Sequence, residues 1–185
     1  MADIIDIQTA LVAIASAAVY PLGISSASIT GAPILLYPGW PNAAQLDTDL
    51  SVGSAHITVF PTQIESNKTR YPLDWRPSSI AAGSITRELR RQDRVFQITA
   101  WCSTPTQRDT IGAALDIAMA QIEFLALPDG YGARMIYRNS HVTDDLEKAK
   151  IYRRDFQYSV EYATTQTMSA TVITQTITNT TLIGN

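Results

Sequence analysis

The sequence predicts an α+β fold: a mainly antiparallel sheet packed by two helices, with a projecting β-hairpin and an extended C-terminal arm. Three observations carry this. Arg94 to Cys102 and Tyr152 to Tyr162 alternate between apolar and polar side chains, the period of a half-buried strand. Asp3 to Val19 and Thr104 to Leu127 repeat apolar residues at spacings of three and four, the period of a helix. Gly and Pro punctuate the segments between them, as at Pro38-Gly39 and Pro128-Asp129-Gly130.

In the first helix Ile4, Ile7, Leu11, Ile14 and Ala18 fall on one face, and Ala10, Ala13 and Ala17 give the opposite face small side chains. That small face permits close approach by another element, or is a plain alanine-rich surface. Tyr20-Pro21 ends the helix, because the residue before proline disfavours helical backbone. Pro33 to Tyr37 predicts a short strand, Asn42 to Leu50 a brief helix, and His56 to Phe60 a further strand stopped by Pro61.

Residues 62–82 read as a long irregular loop containing Tyr71 and Trp75. Loops of that length inside a compact domain are usually functional or disordered. Exposed Tyr and Trp make good interface anchors, so Tyr71 and Trp75 are candidate contact residues, the alternative being a loop folded over its own core. Residues 83–102 then read as a β-hairpin, turning at Arg91 to Arg94, whose charged first strand belongs at an edge. In its second strand Phe96, Ile98, Ala100 and Cys102 share one face and Gln97, Thr99 and Trp101 the other.

The helix that follows has Thr104 as cap, Pro105 at its first position and Gln107 to complete a capping box. Ile111, Ala114, Leu115, Ala118, Ile122 and Leu125 make one apolar stripe, with Ala113, Ile117, Ala120 and Phe124 beside it. A helix apolar over most of its girth is buried on two sides. One side faces its own sheet, and the other faces the first helix or a neighbouring subunit.

The domain is expected to span residues 1–163, followed by a Thr-rich extension over 164–185. The β-favouring run Thr171 to Thr178 includes Val172, Ile173 and Ile177. It reads as an arm that pairs with a strand edge of another chain; an extra edge strand on its own sheet and a frayed tail are the alternatives.

The 185 residues are 45% hydrophobic and only 17% charged, with a net charge of -3. So little charge implies a surface partly covered by partners, and the negative balance gives no general affinity for nucleic acid. No Lys or Arg precedes Lys68, whereas Arg87, Arg90, Arg91 and Arg94 cluster, and no charged side chain follows Glu161. An acidic, a basic and a neutral segment could complement one another between subunits; ordinary solvated loops are the alternative. The apolar run from Ala10 to Val19 is too short to span a bilayer, and the acidic start expects no signal peptide.

No catalytic, cofactor-binding or metal constellation is expected. His56 and His141 lack metal-ligand spacing, and Cys102, the single cysteine, lies on the inferred core face. Asp47, Asp49, Asp144, Asp145 and Glu147 form no ordered ligand series for a cation. Gly130 and Gly132 close a helix-to-strand turn rather than open a phosphate-binding helix.

The segment from Phe96 to Trp101, through Arg108-Asp109, to Leu127 to Gly130 and Tyr152 to Tyr158 resembles the tail-terminator and tail-completion (neck) proteins of tailed bacteriophages. The resemblance covers the second half of the chain and lies in a pattern of elements rather than an invariant motif. It implies a non-catalytic virion protein, assembled in the host cytoplasm, that forms a homohexameric ring. Such a ring ends the tail tube, and the sheath where present, and meets neck or connector proteins in head-tail joining. It has no membrane partner and no sequence-specific nucleic-acid partner, although DNA passes through the lumen. In this reading Arg87, Arg90, Arg91 and Arg94 make subunit or neck contacts. Two other classes stay open: a head-closure or sheath-initiating component, and a small hydrolase using Cys102 with a histidine.

Overall fold

A computed structural model describes residues 4–67, 76–77, 83–143 and 150–169. The chain order is α1 (Ile4–Val19), β1 (Ile34–Pro38), α2 (Ala43–Ser51), β2 (Ala55–Asn67), β3 (Arg76–Pro77), β4 (Ser84–Cys102), α3 (Pro105–Ala120), β5 (Phe124–Ala126), β6 (Gly132–Thr143) and β7 (Tyr152–Ser169). The strands form one sheet in the order β1-β2-β4-β7-β6-β5, with β3 paired to β4. β1 and β2 are parallel and every other pairing is antiparallel. The class is α+β, as the sequence predicts.

One face of the sheet carries the main core. Ile57 and Val59 of β2, Phe96, Ile98, Ala100 and Cys102 of β4, and Phe156, Tyr158 and Val160 of β7 pack under Ile7, Leu11, Ala15 and Val19 of α1 and Ile111, Leu115 and Met119 of α3. Removal of this apolar surface from water is the main stabilising term. The other face holds a smaller cluster, Leu46 and Leu50 of α2 on Trp101. Asn42 caps α2 by accepting from the Ala44 and Gln45 amides at 3.1 and 3.2 Å. At α3 the Thr104 hydroxyl accepts from the Gln107 amide at 3.2 Å. The Gln107 side chain reaches back to the Ser103 amide at 3.1 Å, and its NH2 donates to the Gly53 carbonyl at 3.0 Å. One residue thus closes the helix start and anchors the loop after α2.

Four expectations are corrected. Residues 83–102 are not a hairpin but a single nineteen-residue strand. Arg91 to Arg94 hold no Gly, Asn or Pro to supply a two-residue turn, and β7 offers a ladder along the whole length, from Ser84↔Ser169 to Cys102↔Tyr152. β4 is therefore central, between β2 and β7, despite its charge. Pro61 does not end β2; the strand runs on to Asn67 with a register shift between Pro61 and Glu65, where a missing donor is tolerated. The first six residues of the expected 62–82 loop are thus strand. The second long helix ends at Ala120 rather than Leu127, because Phe124–Ala126 pairs with β6 and the Met135 amide donates to the Glu123 carbonyl at 2.8 Å. Finally, β7 carries the sheet on to Ser169, six residues into the expected C-terminal extension.

Candidate assembly surface

β4 and β7 outrun β2 and β6, and among the described residues only the two-residue β3 lies beside β4 at the tip, opposite Ile85 and Thr86. β6 pairs with β7 no further than Glu161, while the β4–β7 ladder continues to Ser169. Leu89 is an extra residue on β4: Glu88 pairs with Thr165, but Arg90 pairs with Thr164. Such a bulge shifts the alternation by one. Arg87, Arg90 and Arg94 then stand opposite Gln166, Thr164 and Val160, which are alternate residues of β7 and share one face. Arg91 stands opposite Ala163 on the other face.

The structure thus brings the four arginines onto one strand but gives them different surroundings. Arg91 makes a two-point contact with the Glu88 carboxylate at 2.9 and 2.7 Å and lies 3.6 Å from Glu161. Its pKa is raised above the ordinary value, chiefly by the hydrogen bond to Glu88. Arg87 donates to the Gln166 side chain at 3.3 Å, and Arg90 is exposed. Tyr71, Trp75, Val172, Ile173 and Ile177 lie outside the described residues.

The second apolar stripe of α3 is left open. Ile117 is 63% exposed, Ala113 and Ala120 are exposed, and Phe124 lies in β5. Between α3 and α1 runs a cleft of about 500 Å³ lined by Ile14, Ala17, Ala18, Ala114, Ile117 and Ile122. The small residues expected on α1 contribute Ala17 to this cleft. A neighbouring cleft of about 720 Å³ lies between the end of α3 and β6, with Met119, Ile122, Met135, Tyr137 and Tyr158 in its wall. Tyr137 packs edge-on against Tyr158 at 5.6 Å and remains 52% exposed. Burial pushes the Tyr158 hydroxyl up to about 12, helped by the Asp116 charge.

The opposite sheet face carries a polar layer. The His56 ring accepts or donates to the Tyr37 hydroxyl at 2.8 Å and to the Asp49 carboxylate at 3.0 Å, tying β1 and α2 to β2. Burial lowers the His56 pKa, and the Asp49 carboxylate opposes that shift in part. The Trp101 indole donates to Thr58 at 3.1 Å. The Thr99 hydroxyl donates to Asp155 at 2.7 Å, and Arg153 pairs with the same carboxylate at 2.8 Å. Arg153 also lies over the Trp101 ring, 4.8 Å from its centre, and Trp40 meets Trp101 edge-on at 5.6 Å while staying 57% exposed. Sequence reasoning missed this cluster; its signal was Trp40 between two prolines.

The residues a cysteine hydrolase would use are not assembled. Cys102 stands opposite Tyr152 on the core face, whereas His56 stands opposite Trp101 and His141 opposite Asp155, on the other side of the sheet. Burial pushes the Cys102 thiol up to about 12, far from a reactive thiolate. Among the described residues no group of three His, Cys, Asp or Glu is placed to hold a metal ion, and no helix is long and apolar enough to cross a membrane.

Comparison with known protein families finds no match, and no curated protein matches. Among solved structures the chain is similar to the sheath/tube terminator of an extracellular contractile injection system, PVC, in its extended state, at 15% identity and a TM-score of 0.48. The match covers 100% of this chain and 66% of that one, so the chain spans just under two thirds of its length.

Proposed function

We propose that this protein is a structural subunit whose copies close into a ring of six at the end of a tail tube, and of the sheath where one is present, joining the tail to the neck of a virion. The observation that carries the reading is the uncovered side of α3. Ile117 and the Ala-lined cleft beside α1 form an apolar surface that the described part of the chain leaves open to water. Surfaces of this kind on a low-charge protein mark contacts with other subunits. The pattern of strand, helix and paired strands from Phe96 to Tyr158 that resembles tail-terminator proteins gives the assembly its proposed place. Copies of this chain, the tail tube and sheath, and neck proteins are the partners.

Ring contacts are heterologous, one patch meeting a different patch on the neighbour. Arg87, Arg90 and Arg94, on one face of the β4–β7 extension, are assigned to such contacts, and Arg91 to holding that extension together. Tyr71 and Trp75 are assigned to contacts with the tube or neck. Native mass spectrometry with negative-stain imaging tests the function. A six-fold ring with an open lumen is expected, and a stable monomer at every concentration overturns it.

A further inference from the structure

We propose that the cleft between the end of α3 and β6 is a binding site for cationic side chains, and that its occupants are Arg87 and Arg90 of a second copy. The inference rests on the ring reading above and names one contact within it. The cleft of about 720 Å³ is lined on its apolar side by Met119, Ile122 and Met135, and it carries two exposed carboxylates, Asp116 and Glu123. Neither carboxylate makes a hydrogen bond or an ion pair among the described residues. Arg154, the nearby cation on this side of the sheet, is directed over Phe156 toward Ser140 instead.

Tyr158 is a second and independent sign of a ligand. It is only 2% exposed and reaches the wall of this cleft, yet its hydroxyl has no hydrogen-bond partner among the described residues. Buried hydroxyls in folded proteins nearly always have a partner. Burial and the Asp116 charge both keep the proton on this one, so its oxygen is placed to accept from an N–H that enters the cleft. The site therefore selects an apolar stem that ends in a positive head with several donors. An arginine side chain has both, and its planar guanidinium offers five N–H groups to two carboxylates and a hydroxyl. Tyr137, half exposed in the same wall, adds an aromatic face on which a guanidinium stacks.

The occupant follows from charge. Arg87 and Arg90 stand opposite Gln166 and Thr164 on one face of the β4–β7 tip. Glu88 lies on the other face, where Arg91 holds it, and β7 carries no charge beyond Glu161. β4 and β7 therefore place no carboxylate beside these two arginines. Positions of this kind on a strand lie about 7 Å apart, so the tip presents two guanidinium groups side by side. Within one copy they cannot reach the cleft. Thr164 and Gln166 are six and eight residues along β7 from Tyr158, or about 20 and 27 Å. The basic tip and the acidic cleft are thus different patches of one chain, as a heterologous contact requires. The acidic cleft also shares Gln121 and Ile122 with the Ala-lined cleft beside α1, so a neighbour seated there continues onto the open side of α3.

The test uses two full-length charge reversals. The tip variant carries Arg87→Glu with Arg90→Glu, and the cleft variant carries Asp116→Arg with Glu123→Arg. Native mass spectrometry of either variant alone is expected to show loss of the ring, with association weaker by about tenfold or more, because like charges now face each other. Mixed one to one, the two are expected to recover a ring in which native and reversed contacts alternate. If either variant alone assembles as tightly as the parent, or the mixture shows no recovery, the contact is wrong while the ring reading stands. If the parent itself is monomeric at every concentration, both are wrong. Should a reversal fail to fold, Asp116→Asn with Glu123→Gln decides: association as tight as the parent's overturns the contact, and weakened association supports it.

Discussion

Arg154 of β7 crosses α3 at Gly112, where an added methyl group would lie 2.6 Å from the arginine Cδ and 2.7 Å from its Nη1. The guanidinium passes over the Phe156 ring, 4.8 Å from its centre, toward the Ser140 hydroxyl at 3.4 Å. Glycine in mid-helix costs about 1 kcal/mol relative to alanine, and here it is offset by the passage of a long side chain between helix and sheet. Gly112→Val should destabilise the fold by about 1–3 kcal/mol through overpacking. Pairing it with Arg154→Ala should recover part of that loss, since contacting residues couple. Urea unfolding of the single and double variants checks this, and strict additivity would show that the two do not interact.

Ile117→Asp separates assembly from folding. The side chain is mostly exposed on the uncovered side of α3, so monomer stability should change by no more than about 0.5 kcal/mol. The ring should be lost, because a buried unpaired charge at an interface is strongly unfavourable. Thermal unfolding and native mass spectrometry give the two readings. An intact ring would place the contact elsewhere.

Arg91 and Arg90 are neighbours with opposite expectations. Glu88 is 4% exposed and Arg91, its partner, 36%. Arg91→Ala leaves a buried carboxylate without that partner. It should cost about 1–2 kcal/mol, less than for a fully buried pair because water reaches the guanidinium. Arg90→Ala, at an exposed position, should stay within about 0.5 kcal/mol. Equal losses for both would contradict the different surroundings found for them.

His56 gives the fold an acid-sensitive point. Its folded pKa is lowered, mainly by burial, so the unfolded chain takes up the proton first as pH falls. Stability from this group is therefore complete above the unfolded value of about 6.5 and declines below it. Urea midpoints at pH 5 and pH 7.5 should differ more for the parent than for His56→Asn, and an equal difference would exclude His56 as the cause.

Cys102 should resist labelling in the folded state. Burial holds its thiol near 12, so a maleimide at pH 7 should modify it only after denaturation. Rapid labelling of native protein would mean that α3 lifts away from β4.

The legible parts of this chain were those where one local signal had no competitor. The period of α1, the Asn42 and Thr104 caps and the alternation of Tyr152 to Tyr162 all lead directly to observed elements. The end of α3 was not legible. Ile122 and Leu125 continue the helical stripe in sequence, yet the chain turns away because β6 supplies a ladder for Phe124–Ala126. The length of β4 was hidden for a similar reason. Its charged half resembles a solvent-facing edge until β7 is known to run beside it. Of the candidate contact surface, the two apolar sides of α3 were readable from spacing. The continuation of β6 to Thr143 was not, because Arg138 to His141 are polar and hold no strand signal of their own.

The extra residue at Leu89 makes one position of the β4–β7 extension dispensable for pairing. Its loss would leave Glu88 opposite Thr165 and Arg87 opposite Gln166, on the side of Arg90. Loss of a regularly paired residue such as Gln92 would instead reverse the sides taken by Arg90 and Arg91. Along this strand a single-residue deletion is expected to be tolerated at Leu89 and disruptive at its paired neighbours, a pattern that deep mutational scanning with deletions would reveal directly.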